Sequence, residues 1–398
     1  MSVTDTAVTS DELIRRAVEL QPLLAKNAAR TEADRRVPDE NIEAIREAGL
    51  FRIMVPKRLG GYETDIRTKI EISAALAEGC GATAWVTALT NVVAWVVGTM
   101  TAEAQQDVFG ADPDARVAGV LVPSPDVEEV DGGFIVSGRW PWASGSLHAT
   151  WGLGGVMLKG PDGAPRDVGS VIIPMEDLTI EDTWFVAGMK GTGSNTMVAD
   201  RVFVPEHRYV SVPRSIAGQY RTPHTDEALY HSALIPVLAL ILVGPVVGLG
   251  RAALKIAMEK APKRAVSYTR LATQRESTGF QMKLAEAAMT LDDGILHVHR
   301  AADDIDAFAA RHEFMDYVNR ARVRADTGWA SKRIREAISL VLDAHGASGF
   351  ADASPMQRIW RDANTAGRHA IVNGLVNEEL YGKALLGYGV EDQITDLI

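Results

Sequence analysis

Two segments carry residue types able to do chemistry: Ser137-Gly138-Arg139-Trp140-Pro141-Trp142-Ala143-Ser144-Gly145 and, further along, Gly191-Thr192-Gly193-Ser194. Glycines let the backbone come close to a bound group, serine and threonine hydroxyls both donate and accept hydrogen bonds, and neighbouring tryptophans shut out water. A strand ending in such residues can hold a flat polar ring, and the pair of segments reads as a flavin site. A tryptophan-rich strand and turn inside a β core would use the same residues, since neither segment is a self-sufficient motif such as a P-loop.

Periodicity shows what must position these segments. From Ser10 to about Phe109 apolar residues recur at helical spacing (Leu13, Ala17, Leu20; Ile42, Ile45, Leu50), with proline and glycine breaks over 55–62. From Arg116 to about Val212 the pattern turns to short β runs (116–122, 134–137, 169–173, 201–204) separated by Asp-Gly, Gly-Gly and proline turns. Long helical repeats return beyond Glu227, over 282–308, 313–344 and 355–373. The spacing predicts an α+β chain with an N-terminal helical domain at 1–113, a central β domain at 114–215 and a C-terminal helical bundle at 216–398. The apolar run 233–250 is long enough to span a membrane, but two prolines and three glycines interrupt it and it continues into an amphipathic stretch. With no second such segment read in the chain, it is expected to be a buried core helix.

Composition sets outer bounds. At 398 residues, 46% hydrophobic and 23% charged, the chain can build roughly two or three domains around a substantial core. A net charge of −11 argues against nucleic acid and anionic membranes as main partners, because both reward dense Lys and Arg. The lone Cys80 cannot form an internal disulfide, and with no neighbour to lower its pKa it reads as structural. No Cys/His cluster has zinc spacing, so no metal is expected. The start of the chain (MSVTDTAVTSDELIRR) lacks the basic and apolar regions of a secretion signal, which fits a cytoplasmic protein. The acidic tail from Glu391 to Ile398 is expected to be solvated.

Read with their surroundings, residues 136–151 (VSGRWPWASGSLHATW) and 186–208 (VAGMKGTGSNTMVADRVFVPEHR) resemble the two-component flavin-dependent monooxygenases built on the acyl-CoA dehydrogenase fold. The nearest branch hydroxylates phenols and steroid rings. The likeness runs from near Ala33, through Val55 to Gly61, to near Gly382 after Arg358-Ile359-Trp360-Arg361-Asp362-Ala363 and His369. It implies an acyl-CoA dehydrogenase-like fold of helical domain, β-barrel or sandwich and four-helix bundle, assembled as a homotetramer with flavin between subunits. It also implies reduced FAD or FMN from a separate NAD(P)H-flavin reductase, reacting with O2 through a C4a-hydroperoxide to hydroxylate an aromatic molecule. No Gly-x-Gly-x-x-Gly nicotinamide unit opens a helix here, in keeping with a reductase on another chain.

The same resemblance assigns residues. Ser144 places a hydroxyl near flavin N5, and alternation along the strand puts Trp142 on the same face. Thr192, Gly193 and Ser194 hold flavin oxygens or phosphate, and His345-Gly346 forms a turn toward a neighbouring subunit's flavin, or simply caps a helix. His369 is the candidate acid–base group on the substrate hydroxyl. Asn91, Trp95, His148 and His231 are candidate substrate contacts, His148 with its role left open. Arg264 and Arg270 are either flavin contacts or a basic helix end.

Two departures from related patterns matter. Acyl-CoA dehydrogenases often carry a catalytic Glu after the Arg-Asp-Ala run; here that position is Ala370, and Glu378 and Glu379 come after Asn373-Gly374, where the helix is expected to end. A dehydrogenase, or an amine N-hydroxylase on the same fold, stands as the alternative. The phenol hydroxylases also carry a second pocket histidine where this chain has Val93. Its loss suggests a greasier pocket suited to a polycyclic or indole-like ring.

Overall fold

The computed structural model describes residues 8–124 and 126–398, so the reading of the chain's start falls largely outside the described residues. Among the described residues five α-helices come first: α1 (Ser10–Ala33), α2 (Asp39–Glu47), α3 (Ile66–Gly79), α4 (Gly81–Gly98) and α5 (Ala102–Phe109). Thr9, Asp65 and Thr101 cap α1, α3 and α5 by accepting backbone N–H groups that the first turn leaves unpaired. Eight strands follow: β1 (Val117–Ser124), β2 (Asp126–Val130), β3 (Gly133–Ala143), β4 (Trp151–Lys159), β5 (Pro165–Pro174), β6 (Thr179–Glu181), β7 (Asn195–Pro205) and β8 (Tyr209–Ser211). They form two four-stranded sheets, ordered β1-β4-β5-β8 and β2-β3-β7-β6. Trp140, Val136, Val156, Val171 and Met197 form part of the β domain's own core.

The C-terminal part contains α6 (Val212–Ile216), α7 (Leu234–Ile241), α8 (Val243–Lys260), α9 (Thr278–Ala310), α10 (Tyr317–His345), α11 (Pro355–Ala366) and α12 (Gly374–Leu385). The apolar run predicted as one helix is two, α7 and α8, meeting at Leu242. Buried glycines let α8 lie close on α3: a Cβ on Gly248 would fall 2.0 Å from Ala74 O. A second long apolar helix does exist, α4. Both are buried inside the protein, over 94% of α4 and 89% of the α7–α8 window.

Two further expectations need correction. The helix predicted over 355–373 stops at Ala366, and Asn373, expected to end it, caps α12 by accepting from Leu375 N (3.1 Å). The acidic tail keeps Glu391, Asp392 and Asp396 exposed to solvent, as expected, but its last residue, Ile398, is docked. Ile398 packs beside Ala321 and Leu380, Arg320 donates to Ile398 O (3.0 Å), and buried Arg324 donates to Leu397 O.

Candidate active site

The two segments singled out above meet because β3 and β7 are antiparallel neighbours, with Trp140 opposite Met197 and Ala143 opposite Asn195. The end of one strand therefore lies beside the start of the other, and Gly145 N donates to Thr192 O (2.9 Å) to tie the turns together. Ser144 Oγ lies 2.6 Å from Ser194 Oγ, which lies 2.6 Å from Thr192 Oγ1. Helix α4 supplies the third wall. Trp85 Nε1 donates to Ser144 Oγ (3.2 Å), while Val86 packs on Gly145 and Ala82 on Gly191. All three hydroxyl residues are buried.

The loop ahead of Gly191 hangs on α11. Buried Asp362 accepts from Met189 N (2.5 Å), and Arg361 donates to Ala187 O and to Glu32. Burial pushes the Asp362 carboxyl up to about 6, against the opposing pull of the Met189 N–H. Met189 adopts φ +56, and its carbonyl accepts from Thr192 Oγ1 (2.9 Å) and Trp184 Nε1 (3.0 Å).

His369 stands just past the end of α11, at the head of a 3-10 turn (Ala370–Val372), where its Nδ1 accepts from Ile371 N at 3.4 Å. Its ring centroid is 6.1 Å from that of Trp85, so Trp85 contacts Ser144 and faces His369. The imidazole is open to solvent but surrounded by protein atoms, and desolvation lowers its pKa. It is therefore neutral at pH 7. With Nδ1 accepting, the neutral ring carries its proton on Nε2 and presents a donor. Taking a proton from a neutral hydroxyl would require the other tautomer and loss of the Ile371 bond.

The structure thus brings together Ser144, Thr192, Gly193, Ser194 and His369. It adds Trp85, Met189 and Asp362, to none of which the sequence assigned a role. The available signal was that a buried indole N–H and a buried carboxylate each need a partner.

Other predicted residues lie elsewhere. Trp142 does not share Ser144's face, because a bulge between Trp140 and Ala143 sets it at φ +66 with 65% of its surface exposed. Asn91 is fully buried and spends both amide hydrogens on Leu50 O (2.8 Å) and Thr87 O (2.9 Å), so it braces α4. Trp95 is equally buried, with its N–H on Leu229 O (3.1 Å). Val93 packs on Gly119. His231 pairs with Thr225 O (2.8 Å) and lies 4.5 Å from the His312 ring. His345 is buried at the end of α10, where Gly346 (φ +77) donates to Leu342 O (2.8 Å); within one chain this turn is a helix cap. Arg264 bonds Ser348 in the same turn. A cavity of about 930 Å³ lies at the Gly133 end of β3, beside Asp167, Tyr209 and Arg214, and none of the predicted site residues lines it. Among the described residues, no group of three or more His, Cys, Asp and Glu side chains could hold a metal.

His148 faces α2 and the turn before it, with Nδ1 3.4 Å from Arg36 and 3.6 Å from Asp39. Burial, and then the Arg36 charge, push its pKa down to about 4. Because the folded value lies below the unfolded one, stability is present above the unfolded pKa and lost as pH falls toward about 4. Urea unfolding at pH 7.5 and pH 5 should show wild type losing on the order of 2 kcal/mol more than His148→Gln between the two conditions. Equal losses would show that His148 is not held neutral.

Family models described as "Acyl-CoA dehydrogenase, N-terminal domain" and "Acyl-CoA dehydrogenase, C-terminal domain" match residues 11–110 and 240–374. The chain is 32% identical to the flavin-dependent monooxygenase oxygenase subunit HsaA of Rhodococcus jostii, over 95% of this chain and 99% of that one. It is 31% identical to the oxygenase component of the FADH(2)-dependent resorcinol hydroxylase of a Rhizobium strain, over 94% of each. Among solved structures, XiaF from Streptomyces in complex with FADH2 and glycerol superposes with a TM-score of 0.91 at 35% identity, covering 97% of each chain.

Proposed function

Because the chain belongs to the family of flavin-dependent monooxygenase oxygenase subunits built on the acyl-CoA dehydrogenase fold, we propose that the hydroxyl cluster and His369 are the two sides of its active site. The protein is the oxygenase component of a two-component system acting on aromatic molecules. The observation that carries the site reading is Trp85, whose N–H holds Ser144 and whose ring faces His369. Ser144, Ser194, Thr192 and the close-approach glycines would hold the flavin. When bound, the reduced flavin supplies the oxygen chemistry with O2. Trp85 and the buried α4 wall exclude water, and His369 Nε2–H would fix a substrate oxygen over the ring, favouring its ionised form.

Further parts of this reading concern substrate, cofactor and assembly. FADH2 in the names of two similar proteins supports FAD over FMN, delivered by a separate reductase. Valine at position 93, where the phenol hydroxylases carry a histidine, is what favours a polycyclic or indole-like substrate. Met282, Met289 and Leu296, each more than two-thirds exposed, form a stripe of one residue per two turns along α9 that supports packing against other copies in a tetramer. A cytoplasmic setting suits a protein that depends on diffusing reduced flavin.

The carboxylate that dehydrogenases often carry is absent where Ala370 opens its turn, and Glu378 and Glu379 are exposed on α12. The purified protein, given reduced FAD, air and a panel of phenols and indoles, should consume O2 with formation of hydroxylated product. With acyl-CoA thioesters it should leave flavin oxidised under anaerobic conditions. Flavin bleaching by an acyl-CoA, without oxygen transfer to any aromatic, would overturn the reading.

A further inference from the structure

Four hydrogen bonds in the site run in series, and counting hydrogens fixes their direction. Met189 O can only accept, so Thr192 Oγ1 spends its one hydrogen there (2.9 Å). Thr192 must then accept from Ser194 (2.6 Å), and Ser194 must accept from Ser144 (2.6 Å). At the far end the Trp85 indole, which has a donor and no acceptor, gives its hydrogen to Ser144 (3.2 Å). Every hydroxyl hydrogen in the cluster is committed, and only lone pairs remain for a ligand.

We propose that this directed relay is a redox-state filter, making Ser144 an acceptor that welcomes the N–H of reduced flavin and disfavours the bare nitrogen of oxidised flavin. The inference rests on the flavin reading above. Reduction replaces the lone pair at flavin N5 with an N–H. A ring nitrogen bearing hydrogen can bond the free lone pair of Ser144 with the relay intact. A ring nitrogen offering only a lone pair must draw the hydrogen of Ser144 away from Ser194, which breaks one buried bond for each one made. Trp85 and Met189 act as positioning residues, since the indole and the carbonyl anchor the two ends.

The informative variant is Thr192→Val, which keeps the shape and removes the acceptor for Ser194. Ser194 can then turn and donate to Ser144, freeing the Ser144 hydrogen for an oxidised ring. Affinities for oxidised and photoreduced FAD, measured anaerobically by fluorescence and calorimetry, should show wild type favouring the reduced form. In Thr192→Val that preference should fall by about fivefold or more, the worth of one hydrogen bond, through tighter binding of oxidised FAD. Ser194→Ala, which frees the same hydrogen by another route, should shift the ratio in the same direction, and Thr192→Ser should restore the wild-type ratio. A merely structural role predicts equal weakening toward both redox states, and that result, or an unchanged ratio in both folded variants, overturns the filter. If wild type binds FAD and FMN in neither redox state, the flavin reading itself fails, and the filter with it.

Discussion

His369→Ala is expected to lower aromatic hydroxylation about 10²–10³-fold, the range for loss of one positioned hydrogen-bond donor to an ionised oxygen, while oxygen consumption continues and the flux appears as hydrogen peroxide. The expectation follows from position: His369 faces Trp85 across 6.1 Å, opens to solvent within a crowded recess, and keeps Nε2 free while Nδ1 is held by Ile371 N. Desolvation lowers its pKa below the ordinary histidine value of 6.5, so the neutral form persists through pH 7. Because protonation at Nδ1 would leave the Nε2–H donor in place, the ratio of wild-type to His369→Ala activity should not fall between pH 8 and pH 7, whereas a general base would lose its advantage as the ring protonates. Product formation at the wild-type rate in His369→Ala between pH 6 and 9 would remove this residue from the chemistry. It would point instead to a ring rich enough in electrons to need only positioning.

Gly188→Ala should produce the second large effect, and for a steric reason alone. A Cβ at Gly188 would fall 2.2 Å from Arg361 O, 2.5 Å from Arg361 C and 2.6 Å from Thr365 Oγ1, so either α11 or the 187–192 loop must move. Overpacking of this kind costs about 1–3 kcal/mol. The loop that yields also carries Met189, the terminus of the hydroxyl relay, so FAD affinity should fall together with stability, roughly tenfold or more. Gly382→Ala is the matching control, since a Cβ there meets nothing within 4 Å inside α12. It should be neutral, or stabilising by up to about 1 kcal/mol through helix propensity. Thermal melts and FAD titrations of the two variants together decide the matter: a Gly188→Ala protein with wild-type melting and wild-type affinity would show that the loop does not depend on α11.

The elements themselves were largely legible in the chain. Apolar spacing of 3.6 against 2 marked the helical and β stretches, because each periodicity is imposed by the backbone and needs no tertiary partner to be seen. The meeting of 137–145 with 191–194 was legible as a resemblance and is explained by the β3–β7 pairing. Boundaries were less so. In the run 355–373 the one stop signal was Gly367, which caps α11 after Ala366 and lets His369 be presented from a turn; it was passed over because an isolated glycine is also tolerated inside a helix.

What the sequence determined by itself was the family, the order of helical and β segments and the small hydroxyl residues at the strand ends. Only the tertiary structure decided which polar atoms are free. Asn91 and Trp95 have the right chemistry for a pocket, but burial obliged their hydrogens to find backbone carbonyls. Trp142 was assigned by strict alternation, and a single left-handed residue in a bulge turned it outward. Trp85, Asp362 and the direction of the Ser144–Ser194–Thr192 relay arise from contacts between residues far apart in the chain. A hydrogen bond's donor and acceptor are settled by the last partner in line, and that partner is known only once the chain has folded.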